Sequence, residues 1–136
     1  MLAYRNVGNY KKELEYVEKV LEINLKIYGE EHKEVAGNYN NIGEAWYGLG
    51  NYKKALEYGE KALTINLKLY GKNHTAVAEA YGNIGLVYSN LGDNNKALEY
   101  YEEAYAIYAK LLGEGNLTTK QVKLNIEEVK EKMKAR

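Results

Sequence analysis

The sequence repeats itself every 42 residues, and that period limits the possible folds more than any other feature. Gly8-Asn9-Tyr10-Lys11-Lys12 recurs as Gly50-Asn51-Tyr52-Lys53-Lys54, and again, more loosely, as Gly92-Asp93-Asn94-Asn95-Lys96. Residues 8–49 and 50–91 share 25 identities in 42 positions. Identity at that level points to recent duplication or consensus-guided design, not to convergence on a packing pattern. Repetition also accounts for an odd composition: 15 tyrosines and 13 glycines, with no phenylalanine and no proline. A residue fixed in the unit is multiplied with it.

Each unit reads as two helices. In the middle unit, Ala55, Leu56, Gly59, Ala62, Leu63, Asn66, Leu67 and Tyr70 fall at spacings of three and four, the signature of an amphipathic helix over 53–70. Lys53, Lys54, Glu57, Glu60, Lys61 and Lys68 fall mostly on its other faces. Gly71 should stop it, as a glycine just past a helix end does. His74 or Thr75 opens the next helix, whose stripe is Val77, Ala78, Tyr81, Ile84, Gly85 and Tyr88, ending near Leu91-Gly92. Linkers of a few residues force neighbouring helices to pack antiparallel. One hairpin cannot bury its own stripe, but a stack of hairpins can. Gly43 and Gly85 are equivalent and lie mid-helix, where glycine costs about 1 kcal/mol relative to alanine. Such a cost is expected where two helices approach closely, small residue against large.

At these residues a family resemblance becomes specific. Tyr39, Ile42, Gly43, Trp46, Leu49, Gly50, Tyr52, Ala55, Ala62 and Leu63 resemble the tetratricopeptide signature, and Tyr81, Ile84, Gly85, Tyr88, Leu91, Gly92, Ala97 and Ala104 repeat it. The ordinary unit is about 34 residues long and often carries a proline near the end of its second helix. Here Leu25 and Leu67 occupy that place, so the second helix runs on to Gly29 or Gly71. The Gly-x-x-His-x-x-Val-Ala stretches at 29–36 and 71–78 resemble the long repeats of kinesin light chain and nephrocystin-3-like proteins. The resemblance covers essentially the whole chain. It implies an all-α solenoid of antiparallel hairpins with a right-handed superhelical path, and protein or peptide binding as its work.

The expected layout is one repeat domain over 1–136: a partial helix at 1–7, then units at about 8–49, 50–91 and 92–133, roughly seven helices in all. By register Met1 aligns with Gly43, so residues 1–7 read as the back half of a first helix, and the helix at about 10–28 is expected to be partly uncovered. At the other end, helix 118–134 keeps Val122, Ile126 and Val129 facing inward. It has Glu127 in place of Gly43 and Gly85, and Lys130 in place of Trp46 and Tyr88. Charge on the outer face reads as the polar cap a solenoid needs.

Composition excludes several function classes. The 19 basic residues balance the 19 acidic ones, so nothing favours nucleic acid or an anionic membrane. There is no cysteine, hence no disulfide, thiol nucleophile or thiolate metal site. No apolar run approaches the roughly 20 residues of a membrane span, and Met1-Leu2-Ala3-Tyr4-Arg5 lacks a secretory layout. A cytoplasmic location is the default expectation. His32 and His74, one per repeat, are expected to cap or pack on helix starts, because metal ligation needs three or four convergent groups. Asn116, a good N-cap type, takes their place in the third unit. Carboxylates lie beside lysines at helical spacing, as in Glu57–Lys61 and Glu15–Lys19, and read as solvated ion pairs. The tyrosines at helical spacing read mostly as core, with hydroxyls reaching the rim. No catalytic residue, cofactor or metal is expected.

What remains is a binding face. If the first helix of each hairpin lines a concave groove, the residues beside the core stripe point into it. These are Asn40, Asn41, Glu44 and Tyr47, then Gly82, Asn83, Leu86 and Ser89, then Leu124, Asn125 and Glu128 in the cap. Asn41, Asn83 and Asn125 are equivalent, one per repeat. A side-chain amide both donates and accepts, so a ladder of them suits an extended peptide backbone. Equally, each asparagine could fix the spacing between hairpins. The two full repeats place no lysine or arginine in the groove, which argues against the variety of tetratricopeptide domain that clamps acidic C-terminal tails. The partner is thus an unspecified peptide or protein. The alternative is a structural, self-associating array, with a homodimer formed through the uncovered N-terminal end.

Overall fold

The computed structural model describes residues 7–135, which form six α-helices and, among the described residues, no strand. They are α1 (Val7–Tyr28), α2 (Lys33–Gly48), α3 (Tyr52–Tyr70), α4 (Thr75–Leu91), α5 (Asn94–Leu112) and α6 (Leu117–Lys134). The expected partial helix at 1–7 lies outside the described residues except for Val7, which is the first residue of α1. That helix therefore starts earlier than residue 10 and includes Gly8, the counterpart of the turn glycines Gly50 and Gly92.

The turns follow from their sequences. Gly50 and Gly92 each take a φ of +83°, a conformation glycine adopts without steric cost. The Gly50 N–H donates to Tyr47 and the Asn51 N–H to Trp46; Gly92 and Asp93 repeat this on Ser89 and Tyr88. These are paired Schellman bonds that satisfy the last carbonyls of α2 and α4. One residue on, the side chains of Asn51 and Asp93 accept from the Lys54 and Lys96 N–H groups, each at 3.1 Å, opening α3 and α5. A single loop thus closes one helix and starts the next.

The chain divides into two compact units, Met1–Leu69 and Tyr70–Arg136. In the first, Leu14 and Val17 of α1 meet Ile42 and Ala45 of α2, with Leu21, Trp46, Leu49 and Tyr58 packed around them. A second cluster joins Val35 and Ala36 to Ile65 of α3, flanked by Leu21, Leu25 and Tyr39. Ile65 lies outside the stripe expected for 53–70, and Tyr70, within that stripe, is exposed. The reason is that α3 offers α2 a face of its own, carrying Tyr58 and Ile65.

In the second unit α5 packs against both α4 and α6. Its buried residues, Ala97, Tyr101, Ala104, Ile107 and Tyr108, accordingly cover more than one face. The cap keeps Val122, Ile126 and Val129 buried and leaves Glu127 and Lys130 exposed, as its sequence implies. It also buries Thr119, the counterpart of Val35 and Val77, completely. The Thr119 Oγ1 has no hydrogen-bond partner among the described residues. A buried hydroxyl without a partner loses its hydration for nothing, and valine is nearly its shape. Thr119→Val should therefore raise stability by about 1 kcal/mol, read as a higher urea midpoint at unchanged slope. A lower midpoint would mean that water or a partner satisfies the hydroxyl.

Candidate interaction surface

The histidines occupy the helix starts. His32 and His74 are the N-caps of α2 and α4, both with extended backbone. The His32 Nδ1 accepts from the Glu34 N–H at 3.1 Å and the His74 Nδ1 from the Ala76 N–H at 3.0 Å. Each ring also stacks on the last tyrosine of the preceding helix, Tyr28 or Tyr70, at 4.0 Å between centroids. Asn116 caps α6 in the same way through the Thr118 N–H at 2.9 Å. Among the described residues no three His, Cys, Asp or Glu side chains gather as a metal set would.

The tyrosines correct an expectation. Among those described, only Tyr101 and Tyr108 are buried. Most of the others are half-buried and paired at the rim, as in Tyr39–Tyr58, Tyr47–Tyr52, Tyr81–Tyr100 and Tyr88–Tyr100, with centroids 5.5–6.0 Å apart. A ring with one wet edge favours tyrosine over phenylalanine. Lysines lie over several rings: Lys54 over Trp46 at 5.2 Å, its counterpart Lys96 over Tyr88 at 5.6 Å, and Lys61 over Tyr39 and Tyr58 at 5.3 and 5.4 Å. Burial first, then the Glu57 and Glu18 carboxylates and Tyr39, hold the Tyr58 hydroxyl above its ordinary pKa. Burial and Glu79 do the same for Tyr108. Lys68, hydrogen-bonded to Glu31 at 2.7 Å, and Lys72, paired with Glu103 at 3.1 Å, are raised by those partners.

All four shifts have the same sign. The folded state holds these protons more tightly than the unfolded chain, whose tyrosines and lysines titrate at about 10 to 10.4. Their contribution is therefore complete below about pH 10 and is lost as pH rises through the folded values. Urea midpoints should show no change due to these groups between pH 7 and about pH 9, then a decline above about pH 10. High salt should shrink the part due to the exposed lysine pairs and leave the part due to tyrosine burial.

The residues expected to form a groove are on the surface. On α2, Asn41 and Glu44 are exposed and Asn40 and Tyr47 half-buried; on α4, Leu86 is exposed and Gly82, Asn83 and Ser89 half-buried. On α6, Leu124 and Glu128 are exposed and Asn125 is half-buried. Between them Ile42, Gly43 and Ala45, then Ile84, Gly85 and Val87, turn inward. Asn40, Glu44, Tyr47 and Asn83 each already take part in an interaction within the chain. Asn125 accepts from Gln121 Nε2 at 3.1 Å, a partner one turn away on its own helix, so this asparagine does not use that bond to tie hairpins together. The amide pair that does join two helices is one the sequence reading missed. Asn24 of α1 donates through Nδ2 to the buried Asn38 Oδ1 of α2 at 2.7 Å. Its signal was an asparagine standing inside an apolar stripe. Asn66, its counterpart, stands within the apolar stripe expected for 53–70, and Ala80 replaces Asn38 in the second unit.

Two helices joined by a short turn, repeated with fixed caps and an outward polar face, define the class of helical-hairpin repeat proteins. The chain belongs to the tetratricopeptide repeat family, whose family model matches residues 2–66 and 34–110. Proteins of this family serve as scaffolds for protein interaction. No curated protein matches the chain. Among solved structures it is similar to BtubC (BKLC) from P. vanneervenii, with 29% identity over 91% of this chain and 50% of that one, at a TM-score of 0.84. It is also similar in fold to nearly identical TPR-like repeats of a kinesin light chain type from Podosopora anserina. There the identity is 21% over 90% of this chain and 58% of that one, with a TM-score of 0.82. The chain thus spans about half the length of the solved structures it matches. Among the described residues, no helix is long and apolar enough to cross a membrane.

Proposed function

We propose that the chain is a non-catalytic interaction module in which each unit can hold a peptide or protein segment, the first on the outward face of α2 and the second on those of α4 and α6. The observation that supports this reading is the arrangement on those helices. Asn40, Asn41, Glu44 and Tyr47, then Asn83, Leu86 and Ser89, then Asn125 carry amides, a carboxylate, two hydroxyls, one of them on a ring, and an apolar side chain at the surface. The residues alternating with them on α2 and α4 are buried. Uncharged amides, each able to donate and accept, suit a peptide backbone better than an anion. A displayed peptide library screened against the wild type and against Asn41→Ala, Asn83→Ala together tests it. The double change should lower the affinity of selected peptides roughly tenfold, the effect of losing one or two net hydrogen bonds. Selected peptides that bind both proteins equally would refute a role for the asparagines.

A second reading, self-association, is favoured by a separate observation. Tyr16, Ile23 and Ile27 share one face of α1 and are 70%, 56% and 64% exposed. The counterparts of Tyr16 and Ile23 on α3, Tyr58 and Ile65, are covered by α2, while Leu69, the counterpart of Ile27, is itself exposed. The same face on a second copy would bury these side chains in a symmetric dimer. Light scattering across concentration tests it: the mass should approach two chains in the wild type and one chain in Ile23→Lys. A single-chain mass at every concentration removes the reading.

A further inference from the structure

By sequence α1 and α3 are nearly the same helix: residues 10–28 and 52–70 share 14 identities in 19 positions. Within the first unit, α3 shows what covers one side of such a helix. Ile65 is 8% exposed and packs with Val35 and Ala36 of α2. The Tyr58 ring lies 6.0 Å from Tyr39, and the Lys61 ammonium sits over both rings at 5.3 and 5.4 Å. One turn past Ile65, Lys68 pairs with Glu31 at 2.7 Å, just before α2 begins. Ring, cation, apolar contact and ion pair thus all face one segment, Glu31–Tyr39.

The register of 42 puts the same four groups on α1: Tyr16, Lys19, Ile23 and Lys26. Here the two apolar ones are open, Tyr16 at 70% and Ile23 at 56% exposed. Nearer its start α1 differs, with Glu13 and Val17 in place of Ala55 and Gly59, the residues closest to Gly43 on α3. The match therefore holds for the half of the face from Tyr16 to Lys26. An ammonium beside a ring accepts a second ring, and an ammonium one turn on accepts a carboxylate. The chemistry that complements this half is what Glu31–Tyr39 supplies to α3.

We propose that the Tyr16–Lys26 face of α1 is a docking site for one helix of a partner, carrying a glutamate, a Val-Ala pair and a tyrosine at the spacing of Glu31, Val35, Ala36 and Tyr39. The tyrosine lies against Tyr16 under Lys19, the Val-Ala pair covers Ile23, and the glutamate pairs with Lys26. The α2 of a second copy is not that helix, because its own α1 and α3 already hold those residues. The symmetric pair described above buries the same side chains, so docking and self-association compete for one face.

The probe is a capped peptide copying residues 30–41, with Gly37→Glu and a lactam from that glutamate to Lys33 to hold so short a chain in a helix. Both positions are exposed on α2. Added to the full chain, it should bind saturably and shift the NMR resonances of Tyr16, Lys19 and Ile23. Ile23→Lys in the protein, or Val35→Lys in the peptide, should each weaken binding roughly tenfold. Lys26→Glu should weaken it about threefold, and a peptide with Glu31→Lys should recover that loss. Asn41→Ala with Asn83→Ala should leave binding unchanged. A wild type that reads as one chain in light scattering yet binds the peptide supports docking and removes self-association; a dimer that the peptide dissociates also supports docking. No saturable binding up to about 1 mM, equal binding to Ile23→Lys, a charge swap that recovers nothing, or a dimer that the peptide leaves intact would overturn the proposal.

Discussion

Replacing Gly85 with alanine should destabilise the protein by up to about 2 kcal/mol, while the same change at the equivalent Gly43 should stabilise it by up to about 1 kcal/mol. Both glycines are buried in helix interiors, so alanine gains about 1 kcal/mol of helix propensity at each. What differs is the space the new methyl group enters. At Gly43 its nearest neighbours would be the Ala55 carbonyl oxygen at 3.4 Å, the Gly59 nitrogen at 3.5 Å and the Tyr58 Cβ at 3.6 Å, ordinary contact distances. At Gly85 it would fall 2.8 and 3.0 Å from the Tyr101 Cδ1 and Cε1. Tyr101 is only 3% exposed, so its ring has no solvent to swing into. Overpacking of this kind costs about 1–3 kcal/mol, more than the propensity gained. Urea midpoints of the two single variants should move in opposite directions. A rise in both would mean that Tyr101 relaxes cheaply and that the close approach at Gly85 is not what keeps glycine there.

That contrast also marks how far the sequence could be read. The two glycines are indistinguishable along the chain, since both repeats read Tyr-x-x-Ile-Gly. The difference lies across the hairpin, where Gly59 in one unit is Tyr101 in the other. Which residue faces which glycine is a matter of helix packing, and periodicity within one helix does not report it. The same limit explains Ile65. A single amphipathic stripe assumes one buried face, but α3 offers α2 a second one. Features set by a residue's own neighbours in sequence were legible: the turn glycines with positive φ, the caps of α2, α4 and α6, and the charged outer face of the last helix. The proposed peptide-binding residues were legible only as positions beside the stripe.

His74 gives the second large effect, because one side chain carries two interactions. Its Nδ1 satisfies the Ala76 N–H, one of the donors that a helix start leaves without an intrahelical partner, and its ring covers Tyr70 at 4.0 Å. Loss of an N-cap costs about 1 kcal/mol and loss of an aromatic stack about 0.5–1.5 kcal/mol. His74→Ala should thus cost about 1.5–2.5 kcal/mol, and removing His32 as well should add a comparable amount, since the two caps repeat the same geometry on separate helices. His74→Asn separates the two contributions. Asparagine keeps the cap, as Asn116 does at the start of α6 through the Thr118 N–H, but leaves Tyr70 uncovered. Its midpoint should fall between those of the wild type and His74→Ala. If histidine stood there for a metal, His74→Asn would be as damaging as alanine and the wild type would lose stability in a chelator. If it stands there as a cap with a ring, chelator changes nothing and asparagine recovers the cap's share, about 1 kcal/mol of the loss.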